Sequence, residues 1–340
     1  MKPSIRSWLL CGLLLLSTAY LSSAFAIDKE AAIDSQTKTQ LKKTIALLDS
    51  WGGEASILNE ARTYLDEILR KHPNYAAAHR EYARYYIMQG YYRDNDVDPN
   101  ALKAAEKSLK TAITLNPNFA EAYILFGHLY FLQQRYDEAK AALTAADKLG
   151  STDPWLHNNW ADVLIEEGNL DKAAAHYRQV IDSKTKNMKA MTQAFSGLAK
   201  YYTQTQHFDD ADKLYKKQFT YEPKKAWLHG NYATFLLCYK VDAKAAANEF
   251  KAALKLMDYG IARNGLAAAL YRKWADESLA GRMGDARATL SEATALMAGN
   301  PIDAIESACG NVSDPIVATF QAAMQKNTTT MNVTIPQGQK

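Results

Sequence analysis

The chain has 340 residues, of which 48% are hydrophobic, and its formal net charge at pH 7 is +3. A hydrophobic share of this size supplies a large core and excludes global disorder. Because 40 basic residues are nearly balanced by 37 acidic residues, the chain lacks the basic excess of a nucleic-acid-binding protein, and we expect no nucleic-acid partner.

The first 26 residues have the layout of a cleavable signal peptide. Lys2 and Arg6 form a positively charged region before the apolar stretch "WLLCGLLLLSTAYL", and the small-x-small pattern "AFA" ends at Ala26. An uncleaved anchor is the alternative, but the apolar run of about 14 residues is shorter than the roughly 20 that span a membrane. Cys11 lacks the small preceding residues of a bacterial lipobox. We therefore expect cleavage after Ala26, no stable membrane anchor afterwards, and a periplasmic or secreted protein.

Residues 27–75 predict a divergent helical hairpin that caps the N-terminal end of the fold. Gly52 and Gly53 separate two amphipathic stretches, and the second stretch places Ala61 four residues before Leu65 and ends near Pro73. Two helices around a glycine turn satisfy this pattern.

Residues 76–259 contain five copies of one pattern. The stretch "WLHNNWADVL" at Trp155 returns as "WLHGNYATFL" at Trp227. In the first half of each copy, a large residue is followed by two others, then by a large and a small residue, then by two others and a third large residue. The second half of each copy places an alanine four residues before a large residue. These alanines are Ala105, Ala139, Ala173, Ala211 and Ala246, at successive spacings of 34, 34, 38 and 35 residues.

This pattern resembles the tetratricopeptide repeat, a helix–turn–helix unit of about 34 residues. The resemblance implies an all-α fold, a right-handed α-solenoid of stacked hairpins in which each hairpin buries its apolar face against its neighbours. The small residue in each first half, such as Gly127, lies where two helices cross. Pro117 and Pro223 end second helices because proline lacks the backbone N–H.

An acidic insertion interrupts the first of the five copies. Asp94, Asp96 and Asp98 alternate as in a calcium-binding loop. However, Pro99 stands where such a loop needs glycine, and Ala105 stands where it needs glutamate. We interpret the insertion as a solvated loop and expect no metal site.

The C-terminal part predicts a further divergent hairpin and capping helices over residues 260–325, followed by a flexible polar tail over 326–340. Cys238 and Cys309 are the cysteines that remain after signal cleavage. A disulfide between them would close a loop of about 70 residues and stabilise the fold by roughly 4 kcal/mol on the chain-entropy estimate. A buried free thiol at Cys238 is the alternative, and the sequence leaves both open.

Motifs for catalysis are missing from the sequence. It contains no phosphate-binding loop, no Gly-x-Ser-x-Gly and no His-Glu-x-x-His. His157 and His229 recur at one repeat position, which favours a structural role. We predict a protein that is not an enzyme and has no cofactor.

The resemblance implies that the first helix of each repeat lines a concave groove. Trp155 and Trp227 lie where the core does not require a large side chain, which favours partner contact; packing between repeats is the alternative. Asn158 matches one position of a carboxylate clamp, but the neighbouring repeats do not supply the clamp lysines. The predicted groove residues are Arg80, Arg84, Glu121, Ile124, His128, Phe131, Trp155, Asn158, Asp162, Lys200, Trp227 and Thr234.

These features predict a non-catalytic scaffold that holds a peptide or helix of a protein partner in the groove, in envelope assembly or secretion. Apolar residues in the groove favour an amphipathic or extended ligand segment, and Arg80 and Arg84 suit an acidic end of it. The alternative is a carbohydrate-associated accessory protein of cell-wall or exopolysaccharide export, in which Trp155 and Trp227 stack on sugars.

Overall fold

The computed structural model describes residues 33–91, 98–310 and 314–331. The predicted signal peptide, as well as Asp94 and Asp96 of the acidic insertion, lies outside these residues. Within them the chain forms sixteen α-helices and no β-strand, so the predicted all-α fold class is confirmed.

The sixteen helices follow one another through short turns. They are α1 (Ser35–Ser50), α2 (Ala55–Lys71), α3 (Ala76–Tyr91), α4 (Pro99–Leu115), α5 (Ala120–Leu132), α6 (Tyr136–Lys148), α7 (Pro154–Glu166), α8 (Leu170–Asp182), α9 (Met188–Gln204), α10 (Phe208–Phe219), α11 (Ala226–Cys238), α12 (Ala243–Leu256), α13 (Gly260–Leu279), α14 (Met283–Leu296), α15 (Pro301–Cys309) and α16 (Asp314–Met331). Helix α16 thus continues past residue 326, where the sequence predicts the flexible tail to begin.

Local sequence sets where helices begin and end. The carboxylates of Asp98 and Asp153 accept hydrogen bonds from the backbone N–H groups of Asn100 and Trp155, and a proline follows each aspartate as the first helical residue. These caps satisfy donors that a helix start leaves without an intrahelical partner. Gly150 ends α6 with a φ of 73°, a left-handed conformation that glycine adopts without strain.

Consecutive helices pair into hairpins, α1 with α2, α3 with α4, α5 with α6, α7 with α8, α11 with α12 and α13 with α14. We call the first helix of a hairpin its A helix and the second its B helix. Small residues allow the close crossing that the repeat pattern predicts: a Cβ atom added to Gly127 would overlap the side chain of Leu143 on α6. The A face denotes the side of the A helices that is turned away from their B helices.

The chain divides into two compact units, residues 1–194 and residues 195–340, and the division falls within α9. The first unit contains apolar clusters around Leu65, Leu109 and Leu143. The second unit has a core around Phe250 and Trp274. Each unit therefore buries its own apolar residues.

Cys238 at the end of α11 and Cys309 at the end of α15 form a disulfide, with their Cα atoms 5.5 Å apart. This is one of the two alternatives that the sequence leaves open. Among the described residues, no helix is both long and apolar enough to span a membrane, and no cluster of histidine, cysteine, aspartate or glutamate is arranged to hold a metal ion.

Candidate partner-binding site

A cavity of about 840 Å³ opens on the A face of the first unit. It is lined by α1, α3, α5 and α7 and by the turn that leads from α8 into α9. Four residues that the repeat pattern assigns to the groove meet there, namely Arg80, Arg84, His128 and Trp155. Because A helices from successive hairpins contribute side by side, a single ligand in this cavity would contact several repeats.

Two arginines form the charged wall of the cavity. Arg80 and Arg84 lie one helical turn apart on α3, and both pair with the carboxylate of Glu81, whose side chain is only 3% exposed. Arg84 also donates to Asp49 Oδ1 at 2.6 Å. The Nε atom of Arg80 is buried and has no hydrogen-bond partner within the described part of the chain. The wall thus retains an unused donor despite its internal ion pairs.

Aromatic and apolar side chains form the other walls of the same cavity. Trp51, Tyr91 and Trp155 line it, together with apolar Ile87 and Met88. Trp155 also packs against the apolar cluster of α5, α6 and α7, so it serves inter-repeat packing and the cavity wall at once. The mixture of flat apolar surfaces with a few polar groups is typical of binding pockets.

The rim of the cavity includes a contact between distant parts of the first unit. Lys189 at the start of α9 donates from Nζ to the backbone oxygen of Trp51 at 3.4 Å. Nearby, Trp51 Nε1 is buried with no hydrogen-bond partner among the residues that the structure describes. The site is therefore bounded by α9 on this side and carries a free indole donor.

His128 is the cavity residue whose ionisation differs most from its ordinary behaviour. Burial lowers the pKa of its imidazole from 6.5 to about 4. The ring is therefore neutral at pH 7, with one nitrogen able to donate a hydrogen bond and the other able to accept one.

Asp162 holds helices together, although the sequence assigns it to the groove. It accepts hydrogen bonds from Tyr177 Oη on α8 at 3.1 Å and from Gln193 Nε2 on α9 at 2.9 Å. Burial raises the pKa of Asp162 to about 6, while the hydrogen bonds from Tyr177 and Gln193 lower it. Asp162 does not line the cavity.

The prediction that Ile124 and Asn158 lie open in the groove is wrong. Ile124 is 4% exposed and belongs to a core cluster, and Asn158 is fully buried. The Nδ2 atom of Asn158 donates to the backbone oxygen of Ala190 on α9 at 2.9 Å. Asn158 therefore faces the next helix pair, where it satisfies a buried carbonyl, and leaves no clamp amide for a ligand.

The remaining predicted groove residues lie elsewhere. Glu121 is exposed outside the cavity lining, and the ring of Phe131 lies 6.1 Å from that of Tyr136. In the second unit, Lys200 is exposed and Trp227 is partly buried, and Thr234 Oγ1 donates to a backbone oxygen of its own helix at 3.1 Å.

Several cavity residues were not identified from the sequence because they come from turns. Trp51 follows α1, Lys186 belongs to the connection between α8 and α9, and Lys189 lies in the first turn of α9. One sequence signal was present for the lysines. The alanine spacing widens from 34 to 38 residues between Ala173 and Ala211, and such an insertion marks a turn that reaches beyond the regular repeat.

Comparison with known proteins identifies the repeats. The sequence model described as tetratricopeptide repeat matches residues 97–158, which include α4, α5 and α6. Residues 97–158 are thus tetratricopeptide repeats. Such repeat proteins are in general non-catalytic scaffolds that bind protein partners.

Individual relatives are distant. A 76-residue segment is 30% identical to the chloroplast PsbB mRNA maturation factor Mbb1 of Chlamydomonas reinhardtii, and it represents 22% of this chain and 12% of that protein. Among solved structures, a chain of the APC/C hetero-tetramer Cut9-Hcn1 is 18% identical, with a TM-score of 0.54 over 68% of this chain and 46% of that one. The thermophilic repeat protein TTC0263 of Thermus thermophilus is 21% identical, with a TM-score of 0.49 over 59% and 99% of the two chains. The likeness to the Cut9-Hcn1 chain shows the fold alone.

Proposed function

We propose that this tetratricopeptide-repeat protein is a non-catalytic scaffold that holds a segment of a protein partner in the A-face cavity of the first unit. The observation that carries the proposal is the meeting of Arg80, Arg84, His128 and Trp155 from three successive A helices around one cavity. Aromatic and arginine side chains at the centre of a pocket are the groups that most often dominate binding energy.

The size of the cavity selects the kind of ligand segment. A volume of about 840 Å³ lies within the range of roughly 300–1,000 Å³ that holds a small ligand. A helix is about 10–12 Å wide with its side chains, so several turns of helix exceed this space. We infer that the cavity takes a few extended residues with one apolar side chain near Trp155 and one acidic group near the arginines.

We propose a periplasmic or secreted location, with a role in envelope assembly or secretion. The charged start, the apolar stretch and the cleavage pattern of residues 1–26 support export. The Cys238–Cys309 disulfide supports the same location, because disulfides persist in oxidising compartments. Detection of the chain in a periplasmic or culture fraction, beginning at Ile27, would test this.

Site-specific photo-crosslinking in the native host tests the site. Probes at Met88, Tyr91 and Lys186 line the cavity, and a probe at Glu138, half-exposed on α6, is the matched surface control. We expect one dominant protein adduct from the cavity probes that is absent from the control, and that is lost when purified partner segment competes. Equal capture from Glu138 would contradict the cavity as the binding site.

Two tryptophans in one cavity, Trp51 and Trp155, also suit stacking on a sugar ring. This specific observation keeps the glycan-binding alternative testable. Titration with oligosaccharides should leave the tryptophan fluorescence unchanged if the ligand is a peptide. Saturable quenching that is lost in Trp155→Ala, and retained in Trp227→Ala, would favour the glycan ligand instead.

A further inference from the structure

The A face of the second unit is covered by the end of its own chain. In α13, the six consecutive residues from Leu266 to Tyr271 are all between 0% and 5% exposed. Six successive residues point in every direction around a helix with 3.6 residues per turn. Helix α13 is therefore enclosed on all sides, including the side where an A helix would otherwise line a groove.

The covering elements are the last two helices. Helices α15 and α16 both pack on α13, and α15 also packs on α11. In the first unit, by contrast, α3, α5 and α7 each pack more extensively on the preceding B helix than on the preceding A helix. Helix α15 instead contacts two A helices, whose free side is the A face. One apolar cluster joins both groups of helices, and its members include Leu237, Leu270, Trp274, Ala304, Ile305 and Phe320.

Helix α15 has the features of a docked ligand helix. Its buried residues, Pro301, Ala304 and Ile305, follow an i, i+3, i+4 pattern, and Asp303 and Glu306 on its other side are exposed. This is the anchor pattern of an amphipathic helix bound in a groove. The helix is nine residues long, and an isolated helix of this length is not stable in water. Its helical form therefore depends on its contacts with the A face.

The disulfide fixes this helix in place. Cys309 is the last residue of α15, and Cys238 is the last residue of α11. The segment before α15 is held separately, since Tyr271 Oη donates to the backbone oxygen of Met297 at 2.6 Å. Loss of the disulfide would thus remove the covalent tie at the far end of α15, which would then be held only by its own packing and by α16.

We propose that the A face of α11 and α13 is a second docking groove, that α15 is its resident occupant, and that the Cys238–Cys309 disulfide keeps it closed. A dithiol reductant opens it: two electrons and two protons pass to the disulfide, which gives two cysteine thiols and the oxidised reductant. The partner that fits is a short amphipathic helix with small apolar residues at i, i+3 and i+4. This inference concerns the second unit and does not depend on the cavity of the first.

Hydrogen exchange of the full chain tests the covering role of the disulfide. We compare the oxidised protein with Cys309→Ser, with Cys238→Ser as the matched variant, and with the reduced wild type. The amides of α15 should exchange about tenfold faster or more in all three, while those of α12 stay unchanged. Reductant should have no further effect on either serine variant. Unchanged exchange in α15, or an equal rise through α11 to α14, would overturn the proposal.

Peptide binding tests the groove itself. In the full-length variant Ile305→Asp with Cys309→Ser, the resident helix is disabled and no longer competes. A fluorescent peptide of residues 299–310 with Cys309→Ser should bind this variant saturably. It should bind the oxidised wild type with an affinity that is lower by about tenfold or more. The same peptide with Ile305→Asp is the control and should not bind. The proposal is overturned if the peptide does not bind to a variant that keeps its helical content, or if that variant no longer melts cooperatively. Either result would show that α15 is a fixed part of the core.

Discussion

Replacing Glu81 with glutamine tests how the charged wall of the cavity is stabilised. Glu81 is the shared partner of Arg80 and Arg84, and its side chain is 3% exposed against 20% and 16% for the arginines. Glu81→Gln keeps the shape of the side chain and removes its charge. Asp49, whose side chain is 59% exposed, would then remain as a carboxylate partner for Arg84.

The expected loss follows from burial. Breaking a buried ion pair by removing one partner costs about 3–5 kcal/mol, since the other charge stays buried and uncompensated. Because both arginines retain some water contact and Asp49 still pairs with Arg84 at 2.6 Å, we expect the lower end, about 3 kcal/mol. Glu138→Gln is the matched control: Glu138 is 50% exposed and pairs with Arg135 at 3.0 Å, so its loss should cost less than about 1 kcal/mol.

Urea unfolding monitored by circular dichroism gives the free energies, and two transitions are to be fitted separately if the two units unfold independently. The double variant Glu81→Gln with Arg84→Gln should recover part of the loss, because one of the two uncompensated charges is gone. The reasoning is refuted if Glu81→Gln costs no more than Glu138→Gln, or if the double variant is simply additive.

Further predictions concern packing, a buried amide and pH. Gly127→Ala should cost about 1–3 kcal/mol through overpacking at the helix crossing, whereas Gly284→Ala, with open space around its Cβ position, should be neutral or stabilising in the same urea assay. Asn158→Ala removes a buried hydrogen bond to α9 and should cost about 1–3 kcal/mol; no loss would contradict its bridging role. Burial lowers the pKa of His128 from 6.5 to about 4. Between these two pH values the folded chain therefore binds fewer protons than the unfolded chain. The free energy of unfolding should fall by up to about 3 kcal/mol as the pH drops from 6.5 through 4. Unfolding of His128→Gln across this range should lack that fall and retain the opposite trend of Asp162, whose raised pKa of about 6 adds stability as pH falls through 6.

The fold follows from the sequence because the repeat period and the side-chain sizes act locally. An alanine or glycine at a fixed place allows two helices to cross closely, as Gly127 does against Leu143, and the same requirement recurs in every hairpin. A pattern repeated five times therefore specifies helices and their pairing. The limits of the last helix were harder to predict, because polar residues after 326 carry no strong signal to stop α16.

The candidate site follows from the sequence only in part. Arg80, Arg84, His128 and Trp155 were identified because a repeat position fixes the side of the helix on which a residue lies. Asn158 shows the limit of this reasoning, since its amide occupies a position that the repeat assigns to the groove and yet donates to a buried carbonyl of α9. Turn residues such as Lys186 follow no repeat position at all.

The two units use equivalent faces in different ways, and the reason is chemical. On the first unit the A face carries guanidinium and indole groups, and Arg80 Nε and Trp51 Nε1 are already buried without an acceptor in the described part of the chain, at a cost of roughly 1–3 kcal/mol each. On the second unit the same face presents Leu237, Leu266 and Leu270, which gain stability when they are covered. The last two helices of the chain pack on α13 in this unit, whereas we propose that the polar cavity of the first unit takes a ligand that supplies acceptors to its arginines.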